Sequence, residues 1–389
     1  MSVAPINIGV IGLGRAFSLM VPTLSKDPRV RVVAGYDTRE EPLHQLAADF
    51  GASVYNDAEA LCADPRVEAV YIASPHQFHA EHVKLAARYS KHILLEKPMA
   101  LTLSQCDEMI DVCDRANVHL IVGHCHSFDQ PYALAANLIS SGEYGQVRMI
   151  HAFNYTDFLY RPRRPEELQT DMGGGVVFSQ AVHQLDIVRL LAGSPVTSVR
   201  AVVGRWDETR PTEGAYAALI LFDNNCFASV VYSGYAHFDS DEWCGWVSEM
   251  GEEKSPIRHS EARQRLARVG VGLGEAALKA SMTYGGKNYS HEQDTSEVLA
   301  YQHFGPVIVS CQHADIRPVP DGVWVHSDNK RWKISLEPPV VPRVEVIDEL
   351  YGALREASTP LHNGAWARDT LVVCLALLRS SESRKDELL

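Results

Sequence analysis

Along the first third of the chain, apolar and polar positions alternate in blocks. Ile6-Asn-Ile-Gly-Val-Ile11, Arg31-Val-Val-Ala-Gly-Tyr36, Ser53-Val-Tyr55, Ala69-Val-Tyr-Ile-Ala73, His92-Ile-Leu-Leu95 and His119-Leu-Ile-Val-Gly123 are short runs of mostly apolar residues, the form taken by strands buried on both faces. Between them lie stretches with helical spacing: Phe17 to Leu24, Glu41 to Phe50, Ala58 to Ala63, His79 to Tyr89 and Ser104 to Ala116. Six strands separated by helices describe a doubly wound parallel sheet of the Rossmann type, so residues 1 to about 125 are predicted to form a dinucleotide-binding domain.

The pattern changes after that point. Helical Pro131 to Ser141 precedes a long strand ending over His151 to Phe158, and a helix that follows Gly173-Gly-Gly175 runs to Ala192. Val196 to Trp206, Gly214 to Phe222 and Cys226 to Tyr235 alternate residue by residue and are punctuated by turns such as Asp223-Asn-Asn225, which predicts antiparallel strands. Strand patterning resumes at Phe304 to Ser310 and Ala314 to Val325, and Val344 to Glu356 and Ala365 to Arg379 read as closing helices. Residues 126–389 are therefore expected to form a second α/β domain. Residues from about 238 to 300 break its pattern, with a basic helical stretch from Ser260 to Ala280 followed by the polar, aromatic run Tyr284 to His291. This insertion is read as a lid, an oligomer contact or a plain surface excursion.

Composition narrows the field. With 389 residues, 46% hydrophobic and 22% charged, the chain has the balance of a globular protein with a large core. A formal charge of -13 excludes nucleic acid or an anionic membrane as the main partner, since both require a basic surface. Eight cysteines are scattered without a C-x-x-C pair, and no run approaches the roughly 18 apolar residues of a membrane span. A cytoplasmic protein with reduced thiols is expected.

Candidate chemistry collects at the carboxyl ends of the first strands. Gly12-Leu-Gly14 breaks the first run, where a tight turn and the amino end of a helix can receive a pyrophosphate; Phe17 occupies the third glycine position of G-x-G-x-x-G. Asp37 ends the second strand about 20 residues past the glycines, the spacing at which an acid binds the adenosine ribose. Expected cofactor contacts are Gly12, Gly14, Arg15, Ala16 and Phe17 on the first turn and Asp37, Thr38 and Arg39 on the second. Asp37 favours NAD, while Arg39 leaves NADP possible. Glu96-Lys97-Pro98 stops the fifth strand, so Lys97 stands at the ligand edge of the sheet, unless the charged pair is an ordinary solvated turn.

In the second domain, Tyr160-Arg161-Pro-Arg163-Arg164-Pro is the densest positive cluster in an acidic chain. Its arginine forks suit a dianion, although a charge run is commonly a solvated loop. Three glycines before a helix bring the backbone at 173–175 close to a ligand, and Ser179, His183 and Asp186 then recur along one helical side. A metal site at His124-Cys125-His126 is not expected, because alternate residues of a strand face opposite ways and no C-x-x-C or H-E-x-x-H accompanies them.

Taken together, Gly12-Leu-Gly14-Arg15, Ala73-Ser-Pro75-His76-Gln-Phe-His79 and Glu96-Lys97-Pro98 resemble the glucose-fructose oxidoreductase and inositol dehydrogenase (Gfo/Idh/MocA) family. The resemblance implies a Rossmann domain followed by an α/β domain with a large, mostly antiparallel open sheet. It also implies that Ser74, Pro75, His76, His79, Glu96 and Pro98 lie against the cofactor, that Pro98 is cis, and that Lys97 and His183 are catalytic. His79 could instead merely cap its helix, and the family's usual acid four residues before the histidine is here Ser179. Lys97 is read as the base that takes a hydroxyl proton while NAD takes the hydride, with His183 holding or relaying the proton; the roles are exchangeable.

The arginine run, Ser179-Gln180-Ala-Val-His183 and Asp315-Ile-Arg317-Pro318 are similar to one branch, the phthalate cis-4,5-dihydrodiol dehydrogenases. Arg161, Arg163, Arg164, Ser179, Gln180 and His183 would then bind an anionic cyclic diol. A sugar or inositol dehydrogenase is the alternative, a non-catalytic dinucleotide-binding sensor the second. A homodimer or homotetramer is expected from an open sheet face.

Overall fold

A computed structural model describes residues 4–269, 273–289 and 300–389. The chain divides into two units, and the division is not a single cut near residue 125. The first unit takes described residues within Met1–His124, Ala277–Ser296 and Val341–Leu371; the second takes those within Cys125–Ala276, Glu297–Val340 and Val372–Leu389.

In the first unit, β1 (Ile6–Ile11), β2 (Val30–Tyr36), β3 (Ser53–Val54), β4 (Ala69–Ile72), β5 (His92–Leu95) and β6 (Leu120–Val122) form one parallel sheet in the order β3-β2-β1-β4-β5-β6. Every residue of β4 is buried, as an unbroken apolar run requires of a central strand covered on both faces, and those of β6, the edge strand, are buried as well. Helices α1 (Arg15–Lys26), α2 (Glu40–Phe50), α3 (Ala58–Ala63), α4 (His79–Arg88) and α5 (Leu103–Ala116) make the crossovers. The strand order reverses between β1 and β4, which opens a crevice at their carboxyl ends.

Two later segments complete this unit. The Tyr284 ring stands edge-on to Phe17 with centroids 4.9 Å apart, its N–H donates to Ser18 Oγ at 2.9 Å, and its hydroxyl donates to Asp49 at 2.7 Å. This part of the expected insertion thus packs on α1 and α2 of the nucleotide unit. From α10 (Val344–Arg355), Arg355 reaches Glu68 at 2.6 Å, and Asn363 bridges to Ile121 beside β6.

The second unit is built on a nine-stranded sheet ordered β14-β13-β12-β11-β7-β10-β9-β8-β15. Its strands are β7 (Val147–Tyr155), β8 (Val196–Gly204), β9 (Ala215–Phe222), β10 (Phe227–Ser233), β11 (Val307–Cys311), β12 (Ala314–Val319), β13 (Gly322–Ser327), β14 (Arg331–Ser335) and β15 (Glu387–Leu388). Pairing is antiparallel throughout except between β7 and β10, which run parallel. The mostly antiparallel sheet matches the alternation in the sequence, but β7 lies earlier than expected, ending at Tyr155 rather than Phe158. Thr156 there turns away to bond the Tyr232 hydroxyl at 3.0 Å.

Helices α6 (Gln130–Ser140) and α7 (Val182–Ala192) belong to this unit. Within the helical stretch expected over Ser260 to Ala280, the described residues hold α8 (Glu261–Val269) and α9 (Leu273–Ser281), and 270–272 lie outside them. The end of the expected insertion, 290–299 including His291, also lies outside them. The last helix, α11 (Gly364–Ser383), contains the point where the chain passes from the first unit to the second.

Candidate functional site

Three turns at the carboxyl edge of the first sheet carry the nucleotide residues. Gly12 takes φ +91°, and a Cβ there would sit 2.7–2.8 Å from the Ala73 and Ser74 backbone, so only glycine allows the β1 and β4 turns to meet. Gly14 is the N-cap of α1; no side chain caps it, no acid occupies the first turn, and nothing lies within 4 Å of where its Cβ would be. Amide donors, positive dipole and open space together fit a pyrophosphate. Arg15 is exposed beside this opening and Ala16 half-buried.

Asp37 accepts the Leu13 N–H at 2.7 Å and holds Arg39 through Nε at 2.9 Å and Nη2 at 3.0 Å, while Arg39 also donates to the Leu13 carbonyl at 3.0 Å. The acid that fits a ribose and the arginine that fits a 2′-phosphate are thus locked to each other, with Thr38 exposed between them. Phe17 does not join these contacts through its side chain. It is fully buried, tilted at 6.5 Å to Phe50 and edge-on to Tyr284. The third glycine position faces helix-to-sheet packing, and here an aromatic cluster fills it.

Lys97 is the one residue of Ile93 to Ala100 that retains partial exposure, and the Lys97–Pro98 bond is cis, as the resemblance implies. Glu96 points the other way, buried, accepting the Tyr71 hydroxyl at 2.7 Å; burial raises its carboxyl and the Lys97 charge opposes. His79, 1% exposed, likewise does not line the opening. Its Nε2 lies 3.0 Å from the Ser74 carbonyl and its Nδ1 3.1 Å from that of Pro98, so it braces the turn after β4 to the turn that carries Lys97. Burial, with His76 nearby, pushes its imidazole down to about 4. Ser74 Oγ pairs with His82 Nδ1 at 2.9 Å, and Ser74, Pro75 and His76 keep partial exposure.

In the second unit, a π-helical turn Val177–Ala181 leads into α7 and places His183 on a buried aromatic cluster. The His183 ring is 5.2 Å from Phe304 and 4.8 Å from His126. Gln180 accepts the Tyr232 hydroxyl at 3.0 Å and donates to the Ser179 carbonyl at 2.9 Å, and Ser179 donates to the Gly175 carbonyl. The three glycines serve chain packing: a Cβ on Gly174 would meet the backbone of Glu167 to Gln169, and one on Gly175 the buried Glu213 carboxylate. That carboxylate also accepts the Val177 N–H at 3.2 Å. Asp186 is held by the Ser127 hydroxyl.

The arginines separate. Arg161 and Arg163 share the Phe158 ring, 5.8 and 3.5 Å from its centroid. Arg161 contacts Asp157 at 3.3 Å and Glu249 at 4.0 Å with 42% of its side chain accessible. Burial pulls the Arg163 guanidinium down to about 10, with Arg161 and Arg210 adding to the effect against Glu167. Arg164 turns instead to Glu166 at 3.0 Å and Glu167 at 3.7 Å. Strand alternation does not separate His124 from His126, because β6 ends at Val122 and His126 opens a 3-10 turn.

Sequence reading missed Glu249 and Arg210. Glu249 lies in the irregular insertion, and the sequence gives no sign that it reaches Arg161. Arg210, fully buried, meets Glu275 of α9 at 2.9 Å across 65 residues of chain.

Residues 6–124 match the oxidoreductase family with NAD-binding Rossmann fold, and residues 132–248 match the GFO/IDH/MocA C-terminal domain. The chain belongs to this family and is an NAD-binding oxidoreductase. It is 50% identical over 384 residues, 98% of this chain and 96% of the other, to the 1-carboxy-3-chloro-3,4-dihydroxycyclo hexa-1,5-diene dehydrogenase of Comamonas testosteroni. The myo-inositol 2-dehydrogenase of Thermotoga maritima is 29% identical over 50% of this chain and 57% of its own. A crystal structure from Bordetella bronchiseptica RB50 superposes with a TM-score of 0.93 at 39% identity, covering 99% of this chain and all of that one.

Proposed function

We propose that the chain oxidises a cis-diol on a cyclohexadiene ring bearing carboxylate, with cis-4,5-dihydrodiol phthalate to 4,5-dihydroxyphthalate the favoured reaction. The observation that carries this reading is the pair Arg161 and Arg163, 5.8 and 3.5 Å from the centroid of the Phe158 ring, two guanidinium groups gathered at one aromatic side chain in a chain of net charge -13. A ring carboxylate suits their forks, and Phe158, Tyr232 and Phe304 suit the planar diene. The 50% identical relative, whose name specifies a carboxylated dihydroxycyclohexadiene, supports the same class. Arg164, engaged with Glu166 and Glu167, is left out of the clamp.

NAD, when bound, accepts the hydride released from the carbinol carbon. Lys97 takes the hydroxyl proton; a cationic nicotinamide held near it would favour its neutral, basic form. His183 holds the second hydroxyl or relays the proton, Gln180 and Ser179 bracing the helix that carries it. Loss of hydride and proton gives a ring ketone, which enolises to the aromatic catechol.

None of the eight cysteines, all within the described residues, is in a disulfide, which accords with the cytoplasm; among those residues no helix is long and apolar enough to cross a membrane. A homodimer, or a pair of them, is proposed through the exposed sheet face.

The test is NADH absorbance with three substrates: phthalate cis-4,5-dihydrodiol, a monocarboxylated cis-dihydrodiol and myo-inositol. Turnover of the carboxylated diols with a KM raised at least tenfold in Arg161→Ala and Arg163→Ala is expected. Preference for inositol transfers the chain to the polyol dehydrogenases, which the Thermotoga relative makes the second reading.

A further inference from the structure

His126 has no task in the reading above. Its ring, 2% exposed, is wedged against His183 at 62° with centroids 4.8 Å apart, and lies 5.3 Å from Phe304. Both of its nitrogens face carboxylates: Nδ1 stands 2.7 Å from Asp129 Oδ2, and Nε2 stands 3.6 Å from Glu249 Oε1. A neutral imidazole offers one N–H and one lone pair, so a ring with an anionic oxygen at each nitrogen is matched only as imidazolium. Burial opposes that charge, but Asp129 and Glu249 outweigh it and the net direction is upward. Burial likewise pushes Glu249 up, yet His126, Arg161 and His303 hold its carboxyl down at about 2.

The charged and titratable groups around the ring come from separate elements. Asp129 belongs to its own turn, His183 to α7 and Glu249 to the loop after Val247. Behind Glu249 stand Arg161, 4.0 Å from its second oxygen, and His303. Phe304 lies 5.3 Å away and carries no charge, and the buried His124 is also near, with a ring nitrogen within 4.8 Å of a His126 nitrogen and of an Asp129 oxygen. Fixed charges therefore alternate in sign from Asp129 through His126 and Glu249 to Arg161, and the positive ring is the member that touches His183.

We propose that His126, clamped between Asp129 and Glu249, is the positioning residue for His183: it sets the plane of that imidazole and, by its fixed positive charge, keeps a second proton off it. The inference deepens the role given to His183 above and rests on it. Like charges at this separation in a desolvated cluster are disfavoured strongly enough to move a titration by about one to two pH units.

Two measurements test it. In the wild-type protein with NAD, 15N-histidine spectra should contain an imidazole, assigned to His126 by its absence from His126→Arg, that is still doubly protonated at pH 7, where a free imidazole is mostly neutral. A neutral His126 at pH 7 overturns the inference. In kinetics with a carboxylated cis-dihydrodiol, His126→Gln should raise the acidic limb of kcat/KM by about one pH unit or more. His126→Arg, which keeps a cation between the two carboxylates, should hold that limb within a few tenths, and NAD affinity should be unchanged in both. A fall in kcat without movement of the limb in His126→Gln marks a merely structural role and overturns it. Should His126→Gln fail to fold, the spectra and His126→Arg decide. Full turnover in His183→Asn sinks the underlying reading and this one with it; a dead His183→Asn beside an unmoved limb in His126→Gln sinks this one alone.

Discussion

His79 illustrates how a buried side chain can brace two turns of a candidate site without lining its opening. With a carbonyl facing each ring nitrogen and a single N–H when neutral, it can donate to only one, yet burial still drives it to the neutral form at about 4. A folded value below the unfolded one means that the unfolded chain binds the extra proton first. This contribution to stability is thus present above about pH 6.5 and is lost as pH falls toward 4, at roughly 1.4 kcal/mol per unit. Between pH 7 and pH 5 the wild type should therefore lose about 2 kcal/mol more than His79→Gln, read by urea unfolding at both pH values; equal losses remove His79 from the acid sensitivity. His126 and His303, both shifted upward, act with the opposite sign and cancel in that comparison.

Asp37 offers a second single-residue outcome. Its carboxylate organises both the Leu13 amide and Arg39, so Asp37→Ser frees the guanidinium for a 2′-phosphate while removing the ribose acceptor. The ratio of kcat/KM for NADP to that for NAD should rise at least tenfold. An unchanged ratio means that the cofactor's adenosine end does not reach this pair. Lys97, Asp37 and the glycines were legible from the sequence, because each sits a fixed few residues from the end of a recognisable strand. The inward turn of Glu96 was not, since adjacent residues in one motif share a spacing but face different surroundings.

Among the elements, α9 depends on contacts far away in sequence. Glu275 in its first turns is buried, receives Arg210 through both carboxylate oxygens, and accepts the Arg163 N–H at 2.6 Å. Arg210 Nε and Nη2 meet no partner among the described residues. Removing one side of such a pair strands a buried charge, so Glu275→Gln should cost about 3–5 kcal/mol by chemical denaturation. Arg210→Met with Glu275→Leu should recover most of that loss; a double variant no better than the single one shows that the pair carries more than its own charges. Periodicity found the helical character of 260–280 and the six-strand order of the nucleotide unit. It gave no warning that Tyr284 would pack on Phe17, because hydrophobic spacing marks which face is buried but not what covers it.

For the molecule as a whole, the nine-stranded sheet matters most. In register across β9, β10 and β7 stand Leu221, Phe227 and Met149, all exposed, with Val202, Leu219 and Ile308 exposed on neighbouring strands. An apolar row of this kind is what a second copy of the chain can cover by self-matching contact. Phe227→Lys should shift light-scattering mass from a multiple of 43.1 kDa toward a single chain while leaving NAD binding intact; a wild type that is already monomeric at micromolar concentration refutes the dimer.

By itself the sequence determined the parallel sheet, the glycine turn, the acid after β2, the lysine after β5, and the alternating strands of the second unit. These are local matters, in which spacing along the chain fixes side-chain direction. The tertiary structure alone decided that segments 277–289 and 341–371 join the first unit, that Arg164 leaves its neighbours for Glu166, and that His126 meets Asp129, Glu249 and His183. Each of those depends on which surfaces come together when strands distant in sequence pair and their faces are buried, and that choice is settled by packing over the whole unit rather than by any window of residues.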